Sequence, residues 1–191
     1  MDVEAVVLTG GRGRRMGTDK AGIAIDGVPM GLRLVRSLLS LEIPVTVLGR
    51  ESIEGAAFIP DSDEFAGPLA ALEAFSPSRG AIFIASCDMP LFDSRLVRAL
   101  CDSLEKFDAA IPVIDGRRQP LCALYGHEAF QILKQVRADG QSSIRAWTDR
   151  LQVLEIEASW FASARIDITR IRGVNTPEEL DKLLADRPAS A

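Results

Sequence analysis

Unbroken apolar runs alternate with segments of helical spacing along most of the chain, an order that predicts an α/β protein built on a largely parallel sheet. The first run, residues 3–9, contains Ala5-Val6-Val7-Leu8 and leads into a glycine-rich stretch. A helix is predicted near 30–41, with Leu32, Val35, Leu38 and Leu39 on one face, followed by strands at 44–48 and 57–59, the latter ending at Pro60-Asp61. Gly67-Pro68 opens the next helix, because proline in the first turn gives up no N–H the helix needs, and Leu69, Leu72 and Phe75 then share one stripe. The run Ala81–Ser86 does not alternate with polar residues and reads as a fully buried central strand that delivers Cys87-Asp88-Met89-Pro90.

Beyond it the spacing predicts a helix from about Ser94 with Leu96, Val97, Leu100 and Leu104 inward. Strands near 109–114 and 120–125, helices over 127–137 and 142–149, and strands at 151–156 and near 166–171 follow. Thr176, Pro177 and Glu179 fit the cap, first and third positions of a last helix, with a Thr–Glu capping box ahead of Leu180, Leu183 and Leu184. No repeat or low-complexity linker interrupts the order, so residues 1–186 are expected to form one domain and 187–191 a frayed tail.

Composition narrows this picture. With 191 residues, 47% of them hydrophobic, the chain can bury one substantial core. It has no apolar stretch approaching ~20 residues, so no membrane span is expected. Its start, Met1-Asp2-Val3-Glu4, is acidic and unlike a secretory signal, which points to the cytoplasm. Cys87, Cys101 and Cys122 form no close pair and are expected to be small buried apolar residues rather than a disulfide or zinc framework. A net charge of -5 without a second basic cluster argues against nucleic acid as a partner.

The first basic cluster is the stretch Thr9-Gly10-Gly11-Arg12-Gly13-Arg14-Arg15-Met16-Gly17-Thr18-Asp19-Lys20. Glycines let backbone N–H groups turn toward a ligand at close range, and arginine and lysine add charge, so the loop suits a polyphosphate. The competing reading is a solvated basic turn. In open parallel sheets ligands gather at the carboxyl ends of strands, where this loop, Asp61 and Asp88 all fall. Asp88, held by a following proline that keeps Met89 extended, suits a divalent cation such as Mg2+ bridging phosphates, or alternatively caps its own turn. Lys20 and Arg15 are placed to neutralise phosphate charge, or to pair with Asp19 or Asp26. Asp61 is read equally as a nucleoside contact or an Asx-turn, and Asn175 as a crevice residue or an ordinary pre-cap residue. The phosphate-loop pattern ending Gly-Lys-Ser/Thr and the Gly-x-Gly-x-x-Gly fingerprint are both missing, and His127 has no evident catalytic partner. Nucleotidyl transfer needs no protein nucleophile, only aligned phosphates, metal and acceptor.

Taken together, these segments resemble the molybdenum cofactor guanylyltransferases, nucleotidyltransferases that join GMP from GTP to molybdopterin. The resemblance spans nearly the whole chain. It rests on Leu8-Thr9-Gly10-Gly11 with Arg15 through Ala21, on Asp61 with Gly67-Pro68-Leu69, on Cys87-Asp88-Met89-Pro90, on Gln119-Pro120 before Ala123-Leu124-Tyr125, and on Asn175-Thr176-Pro177-Glu178-Glu179-Leu180. The first motif is common to many nucleotidyltransferases; the five in this order are specific. The resemblance implies a three-layer, Rossmann-like α/β fold with a mostly parallel central sheet. It implies that Leu8, Thr9, Gly10 and Asp61 contact the nucleotide, Lys20 its phosphates, and Asp88 both nucleotide and Mg2+, with Lys20, Asp88 and Arg15 catalytic. Arg15, Gln119 and Asn175 would lie toward the pterin. GTP and molybdopterin are the implied substrates, and a molybdoenzyme or another protein of cofactor biosynthesis the further partner.

Two positions depart from the family pattern. Gly49-Arg50 stands where the family tends to carry Asn before Arg, and Gly173-Val174-Asn175 where it often has Asn-x-Asn. A cytidylyltransferase of the same cofactor is the nearest rival, but it typically has Ala-Ala-Gly where Thr9-Gly10-Gly11 stands. A noncatalytic nucleotide-binding module of the same fold is the rival from another class, and retention of Lys20 and Asp88 speaks against it.

Overall fold

The computed structural model describes residues 2–9, 20–61 and 67–186, without the side chain of Lys20. Its elements in order are β1 (Val3–Leu8), a 3-10 turn (Lys20–Gly22), β2 (Ala24–Ile25), β3 (Val28–Pro29), α1 (Met30–Leu39), β4 (Val45–Gly49) and β5 (Ala57–Pro60). They continue with α2 (Pro68–Glu73), β6 (Ala81–Ser86), α3 (Arg95–Leu104), β7 (Ala109–Ile114), β8 (Arg117–Arg118), β9 (Cys122–Gly126) and α4 (Ala129–Ala138). The last are α5 (Ile144–Thr148), β10 (Val153–Ile156), α6 (Ala158–Ser163), a second 3-10 helix (Ile168–Ile171) and α7 (Pro177–Ala185).

The main sheet runs β10-β7-β9-β6-β1-β4-β5, with β8 hanging from β7. Every neighbouring pair on this path is parallel except those made by β9, which is antiparallel to both β6 and β7. Alternate side chains divide the core into two layers. Val3, Ala5 and Val7 of β1 join Leu34, Val35 and Leu38 of α1, Leu96, Val97 and Leu100 of α3, and Phe161 of α6. Val6 and Leu8 face the other way, to Leu69 and Leu72 of α2, Phe130, Leu133 and Val136 of α4, and Trp147 of α5. The result is the three-layer α/β arrangement the apolar runs imply, because strands covered on both faces need no polar alternation. Burial on α1 centres on Leu34, Val35 and Leu38, with Leu32 and Leu39 only half-buried.

A third, small cluster joins Ile25 and Met30 to Val174 and to Leu180 of α7, with Ile23, Leu183 and Leu184 packed beside it. It ties the end of the chain to the segment that follows the glycine-rich stretch. Gly31 lets that segment lie close to α1: a Cβ there would come within 3.0 Å of Ile53 Cδ1 and 3.1 Å of Ala21 Cβ.

Two expectations need correction. Residues 166–171 do not form a strand. The Asp167 carboxylate accepts the Thr169 N–H at 2.9 Å and the Asp167 carbonyl accepts the Arg170 N–H at 3.0 Å, which closes the backbone into a 3-10 turn instead of presenting it to a ladder. At α7 the Thr176 hydroxyl accepts the Glu179 N–H at 3.2 Å as expected, but the returning Glu179 carboxylate takes the N–H of Asn175, at 2.6 Å, and not that of Thr176. The box therefore reaches one residue further back and fixes the main chain of Asn175. Of the cysteines, Cys87 and Cys122 are buried and Cys101 is half-buried, all with free thiols. Among the described residues no helix is long and apolar enough to cross a membrane.

Candidate active site

The chain order of the central strands locates the crevice. From β1 it steps outward to β4 and β5, then returns to place β6 on the other side of β1. Loops diverge at such a reversal, and the space between the carboxyl ends of β1 and β6 is where ligands of open α/β sheets bind. Thr9 and Asp88 stand on either side of it.

Backbone hydrogen bonds carry the ladder past the strand ends and hold those residues in place. The Thr9 N–H donates to Leu48 carbonyl at 2.9 Å, Cys87 N–H to Leu8 carbonyl at 3.1 Å, and Asp61 N–H to Gly49 carbonyl at 2.9 Å. Asp61, Gly49, Thr9 and Cys87 thus lie at the carboxyl ends of β5, β4, β1 and β6, and Asp88 follows Cys87. Leu8 and Thr9 are both buried, and the Thr9 hydroxyl also donates to Leu48 carbonyl, at 3.3 Å. Gly10 and Arg15 lie outside the described residues, as does the side chain of Lys20, whose backbone begins the 3-10 turn against α1.

Asp88 is half-buried two residues beyond β6. The Ser86 hydroxyl donates to its Oδ1 at 2.5 Å. Its carbonyl accepts the N–H of Val174 at 2.9 Å, and a Cβ on Gly173 would touch its carboxylate at 3.2 Å. Segments 85 residues apart therefore meet at this carboxylate. Beneath it, burial together with the charge of Asp88 pushes the Cys122 thiol well up, so it stays neutral and supplies no thiolate nucleophile. Cys87 and His127 lie at opposite ends of the sheet: the His127 ring Nδ1 contacts Arg79 carbonyl at 3.1 Å, and the His127 backbone N–H donates to Gly80 carbonyl.

Next to Asp88 opens a cleft of about 790 Å3. Gln119 and Asn175 both line it, with Gly173 and Val174 between the cleft and Asp88. Gln119 is held by three bonds: its N–H to Pro112 carbonyl at 2.7 Å, its Nε2 to Arg117 carbonyl at 3.0 Å, and its carbonyl to Cys122 N–H at 3.0 Å. The following Pro120 carbonyl accepts the buried Tyr125 hydroxyl at 2.8 Å, and Tyr125 stacks on Trp147 with ring centroids 4.5 Å apart. That anchoring explains why a tyrosine follows the Gln-Pro pair.

The cleft also gathers Arg117, Arg170, Arg172 and Lys182, which the sequence reading did not single out because they are scattered over 66 positions. Its acids are largely engaged. Asp115 pairs with Arg172 at 3.2 Å, Asp167 accepts the Thr169 N–H, and Glu179 accepts the Asn175 N–H. Arg117, Arg170 and Lys182 make no salt bridge among the described residues, and the lining as a whole balances the cations Arg117, Arg170, Arg172 and Lys182 against the acids Asp115, Asp167, Glu179 and Asp186.

For a divalent cation the donor set fits in one respect. Asp88 presents a hard oxygen ligand at the crevice, and among the described residues no group of three or more His, Cys, Asp or Glu side chains gathers. A single carboxylate, completed by phosphate oxygens and water, is a pattern Mg2+ accepts.

The profile of the MobA-like NTP transferase domain family matches residues 5–154. The chain is similar to the molybdenum cofactor guanylyltransferase of Cupriavidus metallidurans, 31% identical over 195 residues, spanning 94% of this chain and 93% of that protein. It is also 26% identical over 188 residues to the molybdenum cofactor guanylyltransferase of Desulfosudis oleivorans, spanning 94% and 93%. Among solved structures, molybdopterin-guanine dinucleotide biosynthesis protein A from Archaeoglobus fulgidus shares the fold with a TM-score of 0.76 at 24% identity, covering 94% of this chain and 96% of that one.

Proposed function

Because the chain belongs to the MobA-like NTP transferase domain family, we propose that it transfers GMP from GTP to molybdopterin, forming the guanine dinucleotide cofactor and releasing pyrophosphate. The observation that carries this reading is the placing of Asp61, Thr9 and Asp88 at the carboxyl edge, beside a polar cleft that holds Gln119 and Asn175. The 31% identical molybdenum cofactor guanylyltransferase of Cupriavidus metallidurans supports guanine as the base.

In this reading an oxygen of the molybdopterin phosphate attacks the α-phosphorus of GTP, the bond from that phosphorus to the bridging oxygen breaks, and pyrophosphate leaves. Leu8, Thr9 and Gly10 contact the nucleotide, and Asp61 contacts the nucleoside. Lys20 and Arg15 neutralise charge on the transferring and leaving phosphates. Asp88 is the protein ligand for Mg2+, which, when bound, screens phosphate oxygens and helps them align for in-line attack. Gln119 and Asn175 orient the acceptor, whose negative charge suits the side chains of Arg117, Arg170 and Lys182. Holding both substrates in one crevice supplies much of the acceleration, since no covalent step on the protein is needed.

A ligand that binds only the folded state raises Tm. With Mg2+ present, GTP is expected to raise the Tm of the purified protein and CTP to leave it near its unliganded value. A shift with CTP and none with GTP overturns the choice of base.

A further inference from the structure

We propose that Glu179 is a positioning residue for Asn175: its carboxylate fixes the main chain that carries this amide at the wall of the cleft, and so sets the affinity for the acceptor. This rests on the reading of Asn175 as an acceptor contact.

Residues 173–175 all line the cleft but offer it one side-chain amide, because Gly173 stands where the family often carries Asn. The placement of Asn175 therefore decides what this segment can contact. Two main-chain bonds set that placement. The Val174 N–H donates to Asp88 carbonyl at 2.9 Å, tying the segment to the loop after β6, and the Asn175 N–H donates to Glu179 Oε2 at 2.6 Å, tying it to the first turn of α7. Val174 and Leu180 are buried together with Ile25 and Met30, so apolar contact holds the segment to the helix whether or not the second bond is made. What that bond adds is the exact seat of Asn175.

An ordinary capping box would return the Glu179 carboxylate to the N–H of Thr176, the residue that caps the helix. Here it passes over Thr176 and reaches a residue of the cleft. The other half of the box is conventional: the Thr176 hydroxyl accepts the Glu179 N–H at 3.2 Å. One motif thus contains a bond that only caps α7 and a bond that also holds Asn175, and the two can be removed separately. Glu179 lines the cleft itself, so its charge must be separated from its hydrogen bond in any test.

The test is titration of the full chain with molybdopterin, followed by fluorescence, on wild type, Asn175→Ala, Glu179→Ala, Glu179→Gln, Thr176→Ala and the variant carrying both Asn175→Ala and Glu179→Ala. Glu179→Ala is expected to raise the molybdopterin Kd about 3- to 10-fold, the worth of one net hydrogen bond, and to leave the Kd for GTP unchanged. Glu179→Gln keeps an oxygen acceptor without the charge and should bind close to wild type, whereas Thr176→Ala should lower Tm and leave the molybdopterin Kd alone. In the Asn175→Ala background Glu179→Ala should add nothing, because its effect passes through that residue. A Glu179→Gln as weak as Glu179→Ala, a matching loss in Thr176→Ala, or full additivity in the double variant would each overturn the positioning role. If Asn175→Ala binds weakly while Glu179→Ala binds as wild type does, the positioning role falls and Asn175 stands as an acceptor contact. If Asn175→Ala binds molybdopterin normally, both fall together.

Discussion

Glu4, on β1, and Asp88, two residues beyond the paired strand β6, are carboxylates at opposite ends of the same sheet. Glu4 is only 4% exposed, and its oxygens accept the Ser78 N–H at 2.5 Å, the Ser78 hydroxyl at 3.0 Å and the Arg79 N–H at 2.8 Å. Those donors belong to the segment that leads into β6, so the carboxylate serves as a staple between the start of β1 and the entry to β6. Asp88 is half-buried, takes a hydroxyl on one oxygen, and has a glycine against its face beside an open cleft. The same chemical group is thus closed inside the fold at one end and left partly exposed at the other. Burial alone does not separate structural from functional acids. What separates them is whether the neighbours close over the group or leave it an approach.

The contrast breaks most sharply by mutation. Asp88→Ala should lower GMP transfer by about 100- to 1000-fold while shifting Tm little, because it removes a ligand and no core volume. Glu4→Ala should do the reverse. It removes the acceptor shared by the Ser78 and Arg79 donors, at about 2 to 3 kcal/mol, a fall of roughly 5 to 10 °C in Tm, with transfer per folded molecule unchanged. A large activity loss in Glu4→Ala at a temperature where it remains folded would dissolve the distinction.

The smallest effect concerns a third acid, Asp93, which lies just before α3. Its carboxyl is held below the usual carboxylate range chiefly by hydrogen bonding from the Arg95 side chain, against the opposing effect of its own burial. A carboxyl lowered in the folded state adds stability above its unfolded pKa, and loses it as pH falls through the folded value. Since Arg95 is largely exposed, solvent screening leaves the pair only a small contribution to stability. Asp93→Asn is therefore expected to lie slightly below wild type in Tm near neutral pH and to converge with it below about pH 4.

Much of the fold was legible because buried parallel strands are continuous apolar runs, as in Ala81–Ser86 and residues 3–8, and because Pro68 and Thr176-Pro177 mark helix starts. The hairpins β2–β3 and β7–β8 went unread, since strands as short as two residues show no periodicity. Their signal was the Asp-Gly dipeptide at Asp26-Gly27 and Asp115-Gly116, with all four residues at positive φ. Residues 166–171 misled because Ile166, Ile168 and Ile171 mimic a strand while Asp167 caps its own turn. At the site, Asp61 and Asp88 could be placed at strand ends from sequence, and Gln119 and Asn175 do share a cleft. The approach of Gly173 to Asp88, and the gathering of Arg117, Arg170 and Lys182, depend on tertiary folding that no local pattern encodes.

The most direct measurement is transfer of label from GTP carrying radioactive α-phosphate to molybdopterin in the presence of Mg2+, run beside labelled CTP. The account predicts that wild type and Glu4→Ala label the acceptor from GTP and not from CTP, and that Asp88→Ala does not label it. Label arriving from CTP alone, or undiminished transfer by Asp88→Ala, would contradict it.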